Sequence, residues 1–168
     1  MSSPIKNASD LLKKHNITSI PIDVEAICRE EGINISYADL REVEEKHKKP
    51  ISGILLVTGD KKDIVVNKND IPERKRFTIA HELGHYFRHY DHSASPDSMM
   101  ISFRSARTEK EYEADEFAAK LLMPKEYVEE EYKKLTVPYI STLAKEFNVL
   151  KAAMAYRLDT LGMRYIQL

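Results

Sequence analysis

The sequence predicts an α+β domain, and three observations carry that prediction. Two β-rich runs, residues 51–57 and 63–67, are joined by Thr58-Gly-Asp-Lys-Lys62, which reads as a hairpin. Just downstream, residues 77–89 are apolar almost all round, as a helix running through the middle of a small domain should be. From about Thr108 onward the patterns are helical. The expected arrangement is a small antiparallel or mixed sheet packed on the central helix. Residues 1–135 form the main domain, and 136–168 a C-terminal helical extension packed on it.

Composition narrows the function classes. A chain of 168 residues, 42% hydrophobic and 32% charged, has enough material for one real core. Its 26 Lys plus Arg against 27 Asp plus Glu leave a formal charge of -1. That balance gives no electrostatic basis for general binding to nucleic acid or anionic membranes. Cys28 is the single cysteine, which excludes an internal disulfide and fits a reducing compartment; it reads as a small core hydrophobe. Neither a signal-like apolar run nor a membrane-length segment is visible, so a cytoplasmic protein is expected.

The elements follow in order. Residues 8–15 read as a short helix with Asn7 or Ser9 as cap and Leu11 and Leu12 facing inward. A second helix opens at Pro21-Ile-Asp23, carries Val24, Ile27 and Cys28 as its apolar stripe, and stops at Gly32. Residues 33–37 alternate as a strand, and the charged stretch 41–49 reads as a solvated loop or frayed helix that includes His47. Gly53 suggests either a bulge or a point where something, such as a substrate strand added to a sheet edge, approaches the backbone. Pro72 starts the central helix, with residues 73–76 as exposed first turns, and residues 91–98 are a loop by composition. A long helix from about Thr108 to Met123 ends at Pro124, an acidic helix follows, and two short helical patterns meet at Asn148.

The central helix carries the chemistry. His81 and His85 lie four residues apart on one face, so both imidazoles can reach a single ion, the HExxH arrangement of a zinc hydrolase. The carboxylate of Glu82 falls beside the metal, where it can accept a proton from water as general base. A catalytic zinc needs a third protein ligand. On the helix after the loop, Glu111 shares the side of the apolar residues Ala114, Phe117 and Ala118, with Asp115 one turn beyond. Glu111 suits a ligand, and Asp115 suits a carboxylate that holds the free nitrogen of a ligating histidine. Glu109 and Glu113 read as solvated. His89 continues the central helix face and reads as an outer-sphere or core-capping residue, and His92 as loop. The elongated motif HExxHxxGxxH would place its third ligand at Asp91, but Arg88 stands at its glycine position and cannot supply the turn, even with Met99 and Met100 nearby. An oxyanion-stabilising donor can come from His89, Tyr86, Arg88 or Tyr112.

Residues 77–87, the preceding hairpin ending in Val66-Asn67, and residues 111–124 together resemble the ImmA/IrrE family of bacterial metallopeptidases. The resemblance runs from about Pro21 to Pro124 and more loosely through the C-terminal helices. It implies a zincin-like, gluzincin-like fold (HExxH plus Glu) with zinc on His81, His85 and Glu111, Glu82 as general base, and Asp115 as outer carboxylate. It also implies a substrate: a helix-turn-helix transcriptional repressor, cut by an anti-repressor protease in the regulation of a mobile element or stress response. The alternative is a non-catalytic zinc-binding module that docks onto a repressor or DNA. The tail, residues 139–158, itself resembles a helix-turn-helix packed through Ala144, Val149, Met154 and Leu158. Only Lys151 and Arg157 offer useful cations on its second helix, so a structural pair or docking surface is preferred to a DNA reader.

Overall fold

The computed structural model describes residues 4–93, 99–103 and 108–168; residues 94–98 of the expected loop lie outside them. Helix α1 (Ala8–Lys14) begins at Asn7, whose Oδ1 accepts from the Asp10 N–H at 2.9 Å while Asp10 Oδ2 accepts from the Asn7 N–H at 3.2 Å. This reciprocal cap satisfies donors that a helix start leaves orphaned. Asp23 caps α2 (Val24–Glu30). The chain leaves that helix through Gly32 at φ +70, where a side chain would be strained, and enters β1 (Asn34–Ala38). The charged stretch that follows is a helix, α3 (Arg41–His47), with no buried residue.

Strands β2 (Gly53–Thr58) and β3 (Lys61–Asn67) form the expected hairpin, and α4 (Pro72–Arg88) is the expected central helix. A further strand, β4 (Met99–Phe103), was not expected and pairs with β2. Among the described residues the sheet order is β1-β3-β2-β4, with β1 and β3 parallel and the other pairs antiparallel. β2 is therefore an interior strand, and its edge is not open to a substrate strand. Nor is Gly53 a bulge, since it pairs in register with Val66. Its visitor is α4: a Cβ at this position would collide with Cγ2 of Thr78.

Helices α5 (Glu109–Leu122), α6 (Lys125–Lys133), α7 (Ile140–Phe147) and α8 (Lys151–Leu161) complete the chain. Leu55, Val57, Ile64 and Val66 from the sheet, Ile79 and Leu83 from α4, and Leu121 and Leu122 from α5 are all buried in one core. Phe147, Met154 and Leu158 of α7 and α8 belong to the same cluster. Burying each such side chain contributes about 1.5–3 kcal/mol, so the C-terminal helices hold on by ordinary core packing. Asn148 takes the left-handed turn between them at φ 52. Arg76, expected on an exposed turn, is instead half-buried: its guanidinium donates to the carbonyls of Ile22 at 2.8 Å, Asn148 at 3.0 Å and Phe147 at 3.4 Å. The carbonyls that accept from it come from segments distant in sequence, which is why the local pattern misreads it.

Candidate active site

Two helices build the site. Residues Thr78 through Tyr86 of α4 are all buried, so the histidine face is turned into the protein. Thr108 caps α5 by accepting from the Glu111 N–H at 3.3 Å, which places Glu111 in the first turn of that helix. The helices approach closely because Gly84 faces Ala114: a Cβ on Gly84 would lie 3.0 Å from Ala114 Cα. At that spacing a glutamate one turn before Ala114 reaches both histidines.

His81 Nε2 lies 3.1 Å from His85 Nε2 and 3.1 Å from Glu111 Oε2, while His85 Nε2 lies 2.9 Å from Glu111 Oε1. Bonds of about 2.0–2.2 Å to a tetrahedral zinc would separate its ligand atoms by roughly 3.3 Å. Three donors of the right kind thus converge at nearly the right spacing, and among the described residues His81, His85 and Glu111 form the group that could hold a metal ion. Two imidazoles and one carboxylate also leave a fourth position open, as a catalytic site requires.

Residues 28–159 match the IrrE N-terminal-like domain of peptidase family M78. The chain belongs to the ImmA/IrrE family. It is similar to the metallopeptidase ImmA of Bacillus subtilis (strain 168), at 28% identity over 103 residues that cover 58% of this chain and 57% of the relative. The match therefore spans little more than half of that relative's length.

Outside the three converging atoms, the ImmA/IrrE chain holds each histidine by its other nitrogen. His81 Nδ1 is 2.8 Å from Asp115 Oδ1, the contact expected of Asp115. His85 Nδ1 is 2.9 Å from Nδ1 of His89, whose Nε2 is 2.8 Å from Glu113 Oε2. The hydrogen bonds fix one order: with His85 Nε2 turned as a lone pair to the cluster, His85 Nδ1–H donates to His89, and His89 Nε2–H donates to Glu113. Glu113 is not simply solvated, as its position suggests; it ends this relay and also lies 3.4 Å from Arg88 Nη2. Helix periodicity places it away from Glu111, yet His89 sits at the C-cap of α4, beyond the last turn, where Glu113 can reach it. Glu109 is exposed.

Burial alone would push the His81 imidazole down, but the hydrogen bonds to Asp115 and Glu111 reverse this and raise its pKa to about 9. Burial opposes ionisation of Glu111 as well, and its contacts to His81 and His85 overcome that and hold it well below the usual carboxylate range. A pocket that stabilises positive charge so strongly is suited to a divalent cation. Glu82, 1% exposed and next in sequence to His81, lies near enough for its charge to help raise the His81 pKa. Asp91 accepts from Ser93 N–H at 3.0 Å and Ser93 Oγ–H at 2.6 Å and is exposed, so it does not join the cluster. Of the four oxyanion candidates, Tyr86 packs with Tyr90 and His92, Arg88 donates to the Lys6 carbonyl, and His89 is held in the relay. Tyr112, 58% exposed, flanks a cavity next to Asp115. Cys28 is buried and its thiol is pushed up to about 12 by that burial, in keeping with a core role.

Proposed function

We propose that this chain is a zinc-dependent endopeptidase with a zincin-like core, and that it cuts a specific protein, a helix-turn-helix transcriptional repressor, as a cytoplasmic anti-repressor. The observation that carries the reading is the convergence of His81 Nε2, His85 Nε2 and Glu111 on one point beside a buried Glu82. When bound there, zinc supplies Lewis acidity, lowering the pKa of a water to about 7 and polarising a peptide carbonyl. The protein does the rest. Glu82 takes the proton from the attacking water and returns it to the leaving amine, help that typically contributes about 10²- to 10⁴-fold. Asp115 fixes the orientation of His81, and the His89–Glu113 pair fixes that of His85. Tyr112 is our choice for the oxyanion donor, because Tyr86, Arg88 and His89 are engaged elsewhere and Tyr112 is exposed beside Glu111 in sequence.

Membership of a metallopeptidase family supports a protein substrate, and the repressor is our inference from the resemblance to ImmA/IrrE proteins. One observation supports a protein partner over direct DNA binding. Arg157, one of two cations on the second helix of the helix-turn-helix-like pair, is buried and donates Nε–H to the Met123 carbonyl at 2.8 Å. That leaves Lys151 as the exposed cation expected to meet phosphate. No helix among the described residues is long and apolar enough to cross a membrane.

The test is Glu82→Gln in the zinc-loaded chain, incubated beside wild type with candidate helix-turn-helix repressors, one of which wild type cleaves. Metal binding should persist and cleavage should fall at least about 10²-fold; undiminished turnover rules the assignment out.

A further inference from the structure

A cavity of about 330 Å³ lies between α4, α5 and the start of α8. We propose that it is a substrate subsite receiving one bulky apolar side chain of the polypeptide, next to the bond that is cut. The inference rests on the peptidase reading above.

The cavity adjoins the metal cluster. Asp115 is part of its lining and is 2.8 Å from Nδ1 of His81, so a single imidazole ring stands between that wall and the converging ligand atoms. Thr78, also in the lining, precedes His81 and Glu82 by one turn of α4 and presses on Gly53, whose added Cβ would lie 3.7 Å from Glu82 Oε1. A peptide carbonyl held at the cluster therefore has a neighbouring residue within reach of the opening, because consecutive residues of an extended chain are about 3.3 Å apart.

The walls select the chemistry. Phe77, Ala119, Leu150 and Ala153 present hydrocarbon, and the exposed rings of Tyr112 and Tyr156 stand at the rim. The one carboxylate, Asp115, is already engaged with His81 and disfavours an acidic guest. Arg74 lines the cavity too and offers the opposite prospect, a salt bridge to an acidic side chain. The hydrocarbon walls and the carboxylate in the lining favour the apolar occupant, and the test below separates the two.

This assignment gives the C-terminal helices a part in the site. Leu150, Ala153 and Tyr156 all come from α8 or its cap, so the helical pair completes a pocket that α4 and α5 leave open on one side. Specificity and fold then share one element: α8 packs into the core through Met154 and Leu158 and turns Ala153 and Tyr156 towards the substrate.

Hydroxamates test this without a known substrate, since the group chelates zinc and sets a side chain beside it. Amino-acid hydroxamates and malonyl hydroxamates, each with hydrogen, leucine, phenylalanine or glutamate side chains, cover both directions along a peptide. Calorimetry on the zinc-loaded chain should show the leucine or phenylalanine probe of one series binding about 10- to 100-fold more tightly than its unsubstituted parent. Ala153→Phe, which fills the cavity, should abolish that preference, and Tyr156→Ala, at a rim position 53% exposed, should reduce it several-fold. In both variants the unsubstituted probe should bind as in wild type, which certifies the fold and the metal. Equal binding of all side chains, preference for glutamate, or a preference that survives Ala153→Phe overturns the subsite while leaving the peptidase reading intact. Failure of every hydroxamate to bind the zinc-loaded chain overturns both.

Discussion

Among the described residues, imidazoles meet carboxylates in partly or fully buried surroundings in two places, and one of them is arranged so that it could hold an ion. Between α1 and α2, His15 has both ring nitrogens engaged: Nδ1 is 2.6 Å from Glu30 Oε2 and Nε2 is 2.6 Å from Glu31 Oε1, which Lys14 also contacts at 2.6 Å. No nitrogen is left for a ligand, and the ring serves as a bridge between two helices. Between α4 and α5, His81 and His85 each commit Nδ1 to an outer partner and direct Nε2 to a common point. What distinguishes a metal centre from a helix tie is this division of labour within each ring. The presence of histidine and glutamate at short distance is common to both.

The comparison is broken most directly at Glu111. Replacing it with alanine removes one of three converging ligands, and zinc affinity measured by chelator competition should fall by more than the 10- to 100-fold typical of losing an outer partner; unchanged affinity would mean that the cluster is not the metal site. A finer cut separates the two outer partners. Asp115→Asn alters a group in direct contact with a ligand ring, and should weaken zinc binding about 100-fold, whereas Glu113→Gln acts through His89 and should weaken it about 10-fold. The reverse order would show the relay to be the stronger support.

The smallest effect belongs to the other cluster. Glu31 is partly shielded, which alone would raise its pKa, but hydrogen bonds from Lys14 and His15 lower it below its usual 4.5. A lowered native pKa contributes stability that is present above 4.5 and is lost as pH falls through the native value. Glu31→Gln should therefore cost about 1 kcal/mol in urea unfolding at pH 7, with the gap closing under acid, and should leave zinc affinity unchanged. An altered affinity would join two clusters that the structure keeps apart.

Much of the site was legible in sequence because it depends on local periodicity. His81 and His85 share a helix face by spacing alone, and Glu111 and Asp115 are placed by the apolar stripe of α5. The hairpin was read from turn chemistry in the same way. The parts that were not legible depend on how distant segments meet. β4 lies beyond a polar loop and gains its partner only from β2. Glu113 depends on where α4 happens to end, and Arg76 on carbonyls that fall 54 and more residues away. The cavity at α8 is of the same kind: Leu150 and Ala153 read as ordinary helix positions until Phe77 and Asp115 stand opposite.

Gly84 has a consequence for how this protein can change over time. A methyl there would meet Ala114 Cα at 3.0 Å and the Ala114 carbonyl and Phe117 Cβ at 3.1 Å. Two of those three atoms are backbone, so no trimming of a neighbouring side chain makes room; the helices themselves would have to part. Glu111 and Asp115 flank Ala114 and would travel with it. A lineage that keeps the His81, His85 and Glu111 cluster thereby meets resistance to even the smallest step away from glycine at this position, and one that loses the cluster is released from it.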